Sequence, residues 1–402
     1  MWGLVHNLGV SVYRKPSTHR GKKTRELLVR HAASVFTDKG FHNTSVAGIC
    51  RAAGVANGSF YQYFKTKYDV FSAIVSTARS EFEEAIADHA TATSLCDGIF
   101  DYFEEYGSLF QVFREAEFIE EPLFSQEFYR PIVKKLSKIL GVNTAQAWSF
   151  IGALTFVALH YGVWRQKAVD KKTRQAFIAV ALHGISPQQT DVWQSLDWPN
   201  PAPAVEKSQP TKKAERTRRA LLSSARKLFA NKGYGKTKIA EITHSAEVAL
   251  GTYYVHFPSK RDILNELVND IRDIFAAQAK AVADDKAHRL ELERRYLIAF
   301  LAALSSNSDT YRIVREAEFA EPAIGRGYYE DIARVYAENL KIPQQKGEVR
   351  EGNRDVMAWS IMGTAHTAGM RWVLWENGKK PPDSAIRSTL QWLFLGLEGC
   401  RS

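Results

Sequence analysis

Apolar residues recur along this chain at intervals of three and four, the spacing that lines one face of an α-helix, and no stretch of sustained alternation reads as a strand. Leu27, Leu28, Ala32, Val35 and Phe36 make the buried stripe of a first helix, which should stop at Lys39-Gly40, where a glycine suits a left-handed cap. Thr44 is the expected N-cap of a short second helix through Arg51. Gly54-Val55 then turns the chain into a third helix over about 56–63, and Lys67 opens a longer fourth. The same steps return over 221–231, at Gly233, over 237–244, at Glu247-Val248, over 249–256 and at Ser259-Lys260. Further helical segments are predicted near 67–88, 95–106, 108–120, 125–140, 144–167 and 173–185. Their counterparts fall near 259–283, 288–305, 308–320, 326–340, 353–376 and 384–398. The expected fold class is all-α, built as two tandem copies of one unit.

The duplication is visible residue by residue. Thr24, Arg25, Ala32, Phe36, Gly40, Thr44, Ile49, Ala53, Gly58, Tyr61, Phe64 and Lys67 return as Thr217, Arg218, Ala225, Phe229, Gly233, Thr237, Ile242, Ala246, Gly251, Tyr254, Phe257 and Lys260, at a constant offset of 193. Downstream, Arg114-Glu115-Ala116-Glu117-Phe118 returns as Arg315-Glu316-Ala317-Glu318-Phe319, and Ala147-Trp148-Ser149 as Ala358-Trp359-Ser360. Residues 186–212 carry Pro187, Pro199, Pro201, Pro203 and Pro210 without periodicity and read as a linker, about 90 Å if fully stretched and about 30 Å as a loose coil. The expected organisation is an extension over 1–19, then 20–66 and 67–185 as the two parts of the first copy, the linker 186–212, and 213–259 and 260–402 as the two parts of the second.

Charge narrows the function. The net charge of +10 is not spread evenly: residues 17–69 hold nine Lys/Arg against three Asp/Glu, and residues 207–262 hold thirteen against four, so the rest of the chain is slightly acidic. Positive charge segregated onto two short segments fits a polyanion-binding surface, and equally two solvated helical faces. Three scattered cysteines (Cys50, Cys96, Cys400) suit neither a disulfide framework nor a zinc site. No apolar run is long enough to span a bilayer, residues 1–12 do not read as a secretory signal, and a reducing cytoplasm is the expected setting.

Two short helices joined by a tight turn form the helix-turn-helix pattern, whose second helix enters a major groove. The series Thr44, Ile49, Ala53-Gly54-Val55, Gly58, Tyr61, Phe64, Lys67, Val70, and its echo Thr237, Ile242, Ala246, Val248, Gly251, Tyr254, Phe257, Lys260, Ile263, resembles the amino-terminal signature of the TetR family of transcriptional repressors. The resemblance covers about fifty residues of each copy. It implies a sequence-specific regulator whose partners are double-stranded operator DNA and a small effector, with no cofactor, metal, membrane or catalytic residue.

On that reading Gly58 and Gly251 let the recognition helix approach the DNA backbone. Thr44/Thr237, Tyr61/Tyr254 and Lys67/Lys260 are candidate phosphate contacts, and Lys22-Lys23 and Lys212-Lys213 candidate basic arms. Ile49, Val55 and Phe64, with Ile242, Val248 and Phe257, are trihelical core. Base readout falls to the exposed face, where Ser45, Asn57, Ser59, Gln62 and Tyr63 stand opposite Lys238, Leu250, Thr252, Val255 and His256. Amides suit adenine and methyl groups suit thymine, so two unlike readers imply an operator with dissimilar half-sites. The family usually carries a small hydroxyl residue where this chain has Ala56 and Ala249, which removes one expected contact or cap in each copy.

The family resemblance further implies that 144–167 with 173–185 pack on 353–376 with 384–398, making the chain a monomeric pseudo-dimer, with a further homodimer as the rival. It also implies an effector pocket in each body, for which an apolar or aromatic ligand is expected. Candidate lining residues are Phe100, Phe103, Phe110, Phe113, Arg114, Glu117, Tyr129, Phe156 and His160 in the first copy. In the second they are Tyr296, Phe300, Tyr311, Arg315, Glu318, Tyr329, Thr364 and His366. Glu117 and Glu318 place a carboxylate on an apolar stripe one turn after an arginine, which suits either a polar anchor for a ligand or an internal ion pair. An enzyme using Glu115/Glu117 or a histidine has no supporting nucleophile order, metal spacing or phosphate loop. A nonspecific DNA-compacting protein would explain the charge but not the large helical bodies.

Overall fold

The computed structural model describes residues 18–116, 123–187, 196, 198–199 and 212–401. The amino-terminal extension up to residue 17, Glu117 and most of the proline-rich linker lie outside the described residues. Helices of the first copy are α1 (His19–Asn43), α2 (Val46–Ala53), α3 (Asn57–Phe60), α4 (Lys67–Ala85), α5 (Ala92–Ala116), α6 (Leu123–Leu140), α7 (Thr144–Ala158), continued by a π-helical turn Leu159–Val163, and α8 (Lys171–His183). Those of the second are α9 (Lys213–Lys232), α10 (Ile239–Ser245), α11 (Leu250–His256), α12 (Lys260–Val282), α13 (Arg289–Ser306), α14 (Ser308–Ala320), α15 (Pro322–Asn339), the short α16 (Lys341–Gln345), α17 (Arg354–Trp372) and α18 (Asp383–Cys400). Among the described residues there is no strand, as the periodicity requires, and no single helix is long and apolar enough to cross a membrane.

Three local expectations are corrected. The N-cap of α2 is Ser45, whose Oγ accepts from the Gly48 N–H at 3.1 Å, and not Thr44. The segments expected at 95–106 and 108–120 form one helix, α5, because Gly107 is carried inside it; in the second copy Asn307, at φ −133° and ψ 33°, does separate α13 from α14. Lys22 and Lys23 lie within α1, which Thr18 caps by accepting from Gly21 N–H at 3.1 Å, so they are part of a helix and not an arm before it.

Two compact units divide the chain: one runs to Glu84 and includes Tyr106–Phe128, and the other comprises Ala85–Glu105 with everything from Tyr129 onward. The division does not follow the copy boundary, because α7 and α8 of the first copy pack with α17 and α18 of the second inside one unit. The reason lies in small residues at the crossing of α7 and α17. A Cβ on Gly152 would sit 2.6 Å from Thr367 Cβ and 2.7 Å from the Gly363 carbonyl oxygen, and one on Gly363 would sit 2.8 Å from Phe156 Cβ. Each glycine thus receives the other helix's backbone, a reciprocity that is the mark of an isologous, two-fold contact.

The aromatic residues repeat the symmetry. Trp148 of α7 packs edge-on against Trp375 at 5.6 Å, and its duplicate Trp359 against Trp164 at 5.8 Å. Polar ties close the bundle: Asn143 Nδ2 donates to Ser388 Oγ at 3.0 Å, Gln146 Nε2 to Gln391 Oε1 at 3.0 Å, and the Ile185 and Ser186 amides to the Leu393 and Phe394 carbonyls at 3.0 and 2.9 Å. The four-helix packing is therefore made by one chain with itself.

Candidate nucleic-acid interface

Each trihelical unit is built around its own core. In the first, Leu28, Ala32, Phe36, Ile49, Phe60 and Phe64 are buried, with Phe36 stacked on Phe41 at 5.4 Å and edge-on to Phe71 at 5.3 Å. In the second, Leu221, Ala225, Phe229, Ile242, Tyr253 and Phe257 take those places. Tyr253 replaces Phe60 and uses its hydroxyl, which donates to the Ser259 carbonyl at 3.0 Å. Val55 and Val248 are only half-buried.

Packing the core this way leaves one face of α3 and of α11 in solvent. Asn57, Gly58 and Gln62 are exposed, Tyr61 is 52 % exposed, and Ser59 and Tyr63 are half-buried. On the second face Gly251 is exposed, Thr252 and His256 are half-buried, and Leu250, Tyr254 and Val255 are exposed by 50, 54 and 81 %. Four of the six large apolar side chains exposed among the described residues therefore stand on these two short segments, where a folding argument alone would not put them. A Cβ on Gly58 or Gly251 would meet nothing within 4 Å, so folding does not demand glycine there. Ser45 and Lys238, the cap positions of α2 and α10, are exposed beside these faces. Ala56 and Ala249 begin α3 and α11 with no side-chain cap, as their methyl groups dictate.

Two pairs expected at the DNA turn inward instead. Thr44 and Thr237 are 3 and 2 % exposed, and their hydroxyls donate to the Gly40 and Gly233 carbonyls, both at 2.7 Å. Lys67 Nζ donates to the Phe41 and Thr44 carbonyls at 2.7 and 2.9 Å, and Lys260 Nζ to those of Tyr234 and Thr237 at 2.8 and 3.0 Å. Each ammonium also lies over an aromatic ring, 4.5 Å from the Phe41 centroid and 4.2 Å from that of Tyr234. Burial holds the Lys260 ammonium below the usual lysine range. These residues tie the fourth helix to the turn before the second, a role that a hydroxyl or a cation at that spacing does not reveal by type.

The turn has a second clamp, which sequence reasoning missed. Glu115 Oε2 accepts from the Phe41 N–H at 2.9 Å, and Glu316 accepts from the Tyr234 and Gly235 N–H groups at 2.7 and 3.1 Å. The signal available was the recurrence of both glutamates inside the duplicated five-residue motif.

The family model described as "Bacterial regulatory proteins, tetR family" matches this chain twice, over residues 28–74 and 221–267, the two trihelical units just described. The chain is a tandem TetR-family regulator. It is 23 % identical over 164 residues to the HTH-type transcriptional regulator HbdR of Aromatoleum sp. (strain CIB), covering 40 % of this chain and 72 % of that protein. It is 35 % identical over 69 residues to the fatty acid metabolism regulator protein of Bacillus subtilis (strain 168), covering 16 % of this chain and 36 % of that one. Among solved structures, Salmonella enterica GusR aligns at 18 % identity and a TM-score of 0.41, over 46 % of this chain and 99 % of that one. HbdR is by name an HTH-type transcriptional regulator.

In the bodies of the tandem regulator the expected pocket residues regroup. Phe110 and Phe113 pack with tilted rings against Phe128, at 6.4 and 4.4 Å, and Arg114 is buried on the same helix. Phe100 packs edge-on against Phe177 at 5.6 Å, and Phe103 against Tyr102 at 5.8 Å, while Tyr129 meets Trp148 at 5.5 Å. Phe156 and His160, assigned by sequence to a first-copy pocket, instead face the second copy. Phe156 lies 4.7 Å from His366 and 5.7 Å from Tyr329, and His160 is stacked on Trp359 at 4.1 Å. The crossing of α7 and α17 is the cause, since each helix presents its far end to the other copy.

Second-copy candidates divide as well. Phe300 and Tyr311 cluster with Phe275, at 5.3 and 5.8 Å, whereas Tyr296 sits apart beneath the Arg289 guanidinium at 5.9 Å. Thr364 spends its hydroxyl on the Ser360 carbonyl at 2.9 Å. Arg315 and Glu318 are 1 and 2 % exposed, and Arg315 Nη1 donates to His366 Nε2 at 2.7 Å. A guanidinium only donates, so the His366 proton sits on Nδ1 and is given to Tyr311 Oη at 2.7 Å. Burial raises the Tyr311 phenol well above its ordinary range.

Proposed function

We propose that the chain binds a single operator through both readers at once, recognising two dissimilar half-sites, and that an effector held by the helical bodies releases it. The observation that carries this reading is the pair of unlike solvent faces on one polypeptide: amides and hydroxyls at Asn57, Ser59 and Gln62 against Leu250, Thr252 and Val255. Residues 20–66 and 213–259 are the DNA-binding domains of this reading, and 67–185 and 260–402 the effector and pairing domains. Amides reading adenine edges and methyl groups reading thymine favour different sequences, and two different readers on one chain impose no two-fold symmetry on the DNA.

The effector seat best supported is a composite of both copies. His160 and Trp164, at the π-helical end of α7, meet Tyr329 and Trp359, with Trp164 stacked on Tyr329 at 6.1 Å. His160 Nε2 accepts from Arg165 at 2.8 Å, so the proton rests on Nδ1. The Trp164 indole N–H is buried without a hydrogen-bond partner among the described residues, and the His160 Nδ1–H faces Glu330 Oε1 at 3.7 Å, beyond hydrogen-bond reach. Aromatic walls with unmet donors suit a small planar ligand that carries an acceptor group. The chain acts by binding in the cytoplasm, and one chain is the working unit.

Footprinting followed by exchange of half-sites tests the central claim. The natural asymmetric operator should bind more tightly than a perfect palindrome made from either half; a palindrome that binds best refutes it. Sedimentation of the purified protein should give the mass of one chain.

A further inference from the structure

The motif Arg-Glu-Ala-Glu-Phe stands in both bodies, and DNA reading as described above makes no use of it. Its first glutamate does the same thing in each copy. The amides that Glu115 and Glu316 accept from follow Gly40 and Gly233, whose φ of +74° and +87° turn the chain out of the first helix. A Cβ on either glycine would come to 2.9 or 3.0 Å from the carboxylate. On the other side of the same turn the carbonyls of Phe41 and Tyr234 accept from Lys67 and Lys260. An anion therefore holds the N–H groups of the turn while a cation holds its carbonyls, and hydrogen bonds to ionised groups are the stronger class.

The neighbouring residue of the motif points the other way. Arg315 enters the body and donates to His366 of α17, the helix that crosses α7. One turn of α14 thus joins the pairing bundle to the turn that aims α10 and α11.

We propose that Glu115 and Glu316 are positioning residues for operator binding: each fixes the orientation of its reader without touching DNA, and in the second copy the Arg315-Glu316 pair passes a displacement of α17 to that reader. This rests on the reading that the two trihelical units bind an operator. It also makes a prediction of sign. Removing a carboxylate from a protein that binds a polyanion should tighten binding if charge alone acts, whereas loss of a positioning contact weakens it.

The test uses the full chain with Glu316→Ala and Glu316→Gln, titrated with the footprinted operator at several salt concentrations and followed by thermal melting. Glu316→Ala should weaken binding roughly tenfold. Glu316→Gln, which loses the same charge and the bond from Gly235 N–H but keeps an oxygen to accept from Tyr234 N–H, should recover part of that loss. The slope of log affinity against log salt should stay at the wild-type value, because no phosphate contact is removed. Tighter or unchanged binding by Glu316→Ala, an equal loss in both variants, or a changed salt slope would each overturn the proposal. A wild-type chain without sequence preference overturns the operator reading beneath it, and the same titration reveals that before any variant is made.

Discussion

Replacing Gly363 by alanine tests the bundle at its tightest point. The new Cβ would lie 2.8 Å from Phe156 Cβ and 3.0 Å from Ala153 Cα, and nearer still to the Gly152 carbonyl oxygen. Carbon atoms rest at about 3.5 Å or more, so α7 and α17 must part by roughly 1 Å at the crossing. Overpacking of this kind costs about 1–3 kcal/mol, and for a unit of almost 300 residues each kcal/mol lowers Tm by about 1–2 °C. Differential scanning calorimetry should therefore show a fall of roughly 1–6 °C. Gly152→Ala, which would press on Thr367 Cβ from 2.6 Å and on the Gly363 carbonyl from 2.7 Å, should behave alike. The double variant is the sharper experiment. Because both methyl groups enter the same gap, the separation forced by one makes room for the other, and the combined loss should be smaller than the sum of the two. Wild-type melting of Gly363→Ala, or strictly additive losses, would refute the reading that the two backbones meet there.

Other consequences follow from single side chains. Alanine at Gly58 or Gly251 meets no atom within 4 Å and favours a helix over glycine, so stability should hold or rise by up to about 1 kcal/mol while operator affinity, read by fluorescence anisotropy, falls. Lys260→Met leaves the Tyr234 and Thr237 carbonyls without their donor and should cost about 1–3 kcal/mol in chemical denaturation, with little change in the salt slope of DNA binding. Burial and then the Arg165 charge push His160 down to about 3 from 6.5. The unfolded chain therefore binds a proton below pH 6.5 that the folded chain refuses until pH 3. Stability is unaffected above pH 6.5 and declines as pH falls through that window, by at most about 2 kcal/mol at pH 5. His160→Phe should flatten the fall of Tm between pH 6.5 and 4, and an unchanged slope would show the imidazole to be solvated.

Much of this architecture was legible in the amino-acid order. The reader cores were, because Phe36, Ile49 and Phe64 recur with their duplicates at one offset and period-3.6 burial follows from spacing. The pairing of the last two helices of each copy was implied by the family resemblance, and the recurrence of Ala147-Trp148-Ser149 as Ala358-Trp359-Ser360 marked the two helices as duplicates. What escaped depended on register or on distant partners. Thr44 and Ser45 are both cap-forming types, and a shift of one residue decides which faces the core. Lys67 and Lys260 have the chemistry of phosphate ligands, and only the fold shows the carbonyls that claim them. Phe156 and His160 were placed with their own copy because sequence proximity carries no information about which copy a crossing helix faces. Pro131 inside α6 and Gly107 inside α5 likewise break local rules without breaking the helices.

The bundle of α7, α8, α17 and α18 is completed when one polypeptide folds, so its assembly has no concentration term. A repressor built from two molecules loses half-site pairing on dilution, and its promoter response steepens with protein level. With one chain as the working unit, as proposed above, occupancy would follow a simple hyperbola down to a few copies per cell. Each recognition surface is also encoded separately, so a base change in one arm of the binding site can be answered by a codon change in one half of the gene, leaving the other arm undisturbed.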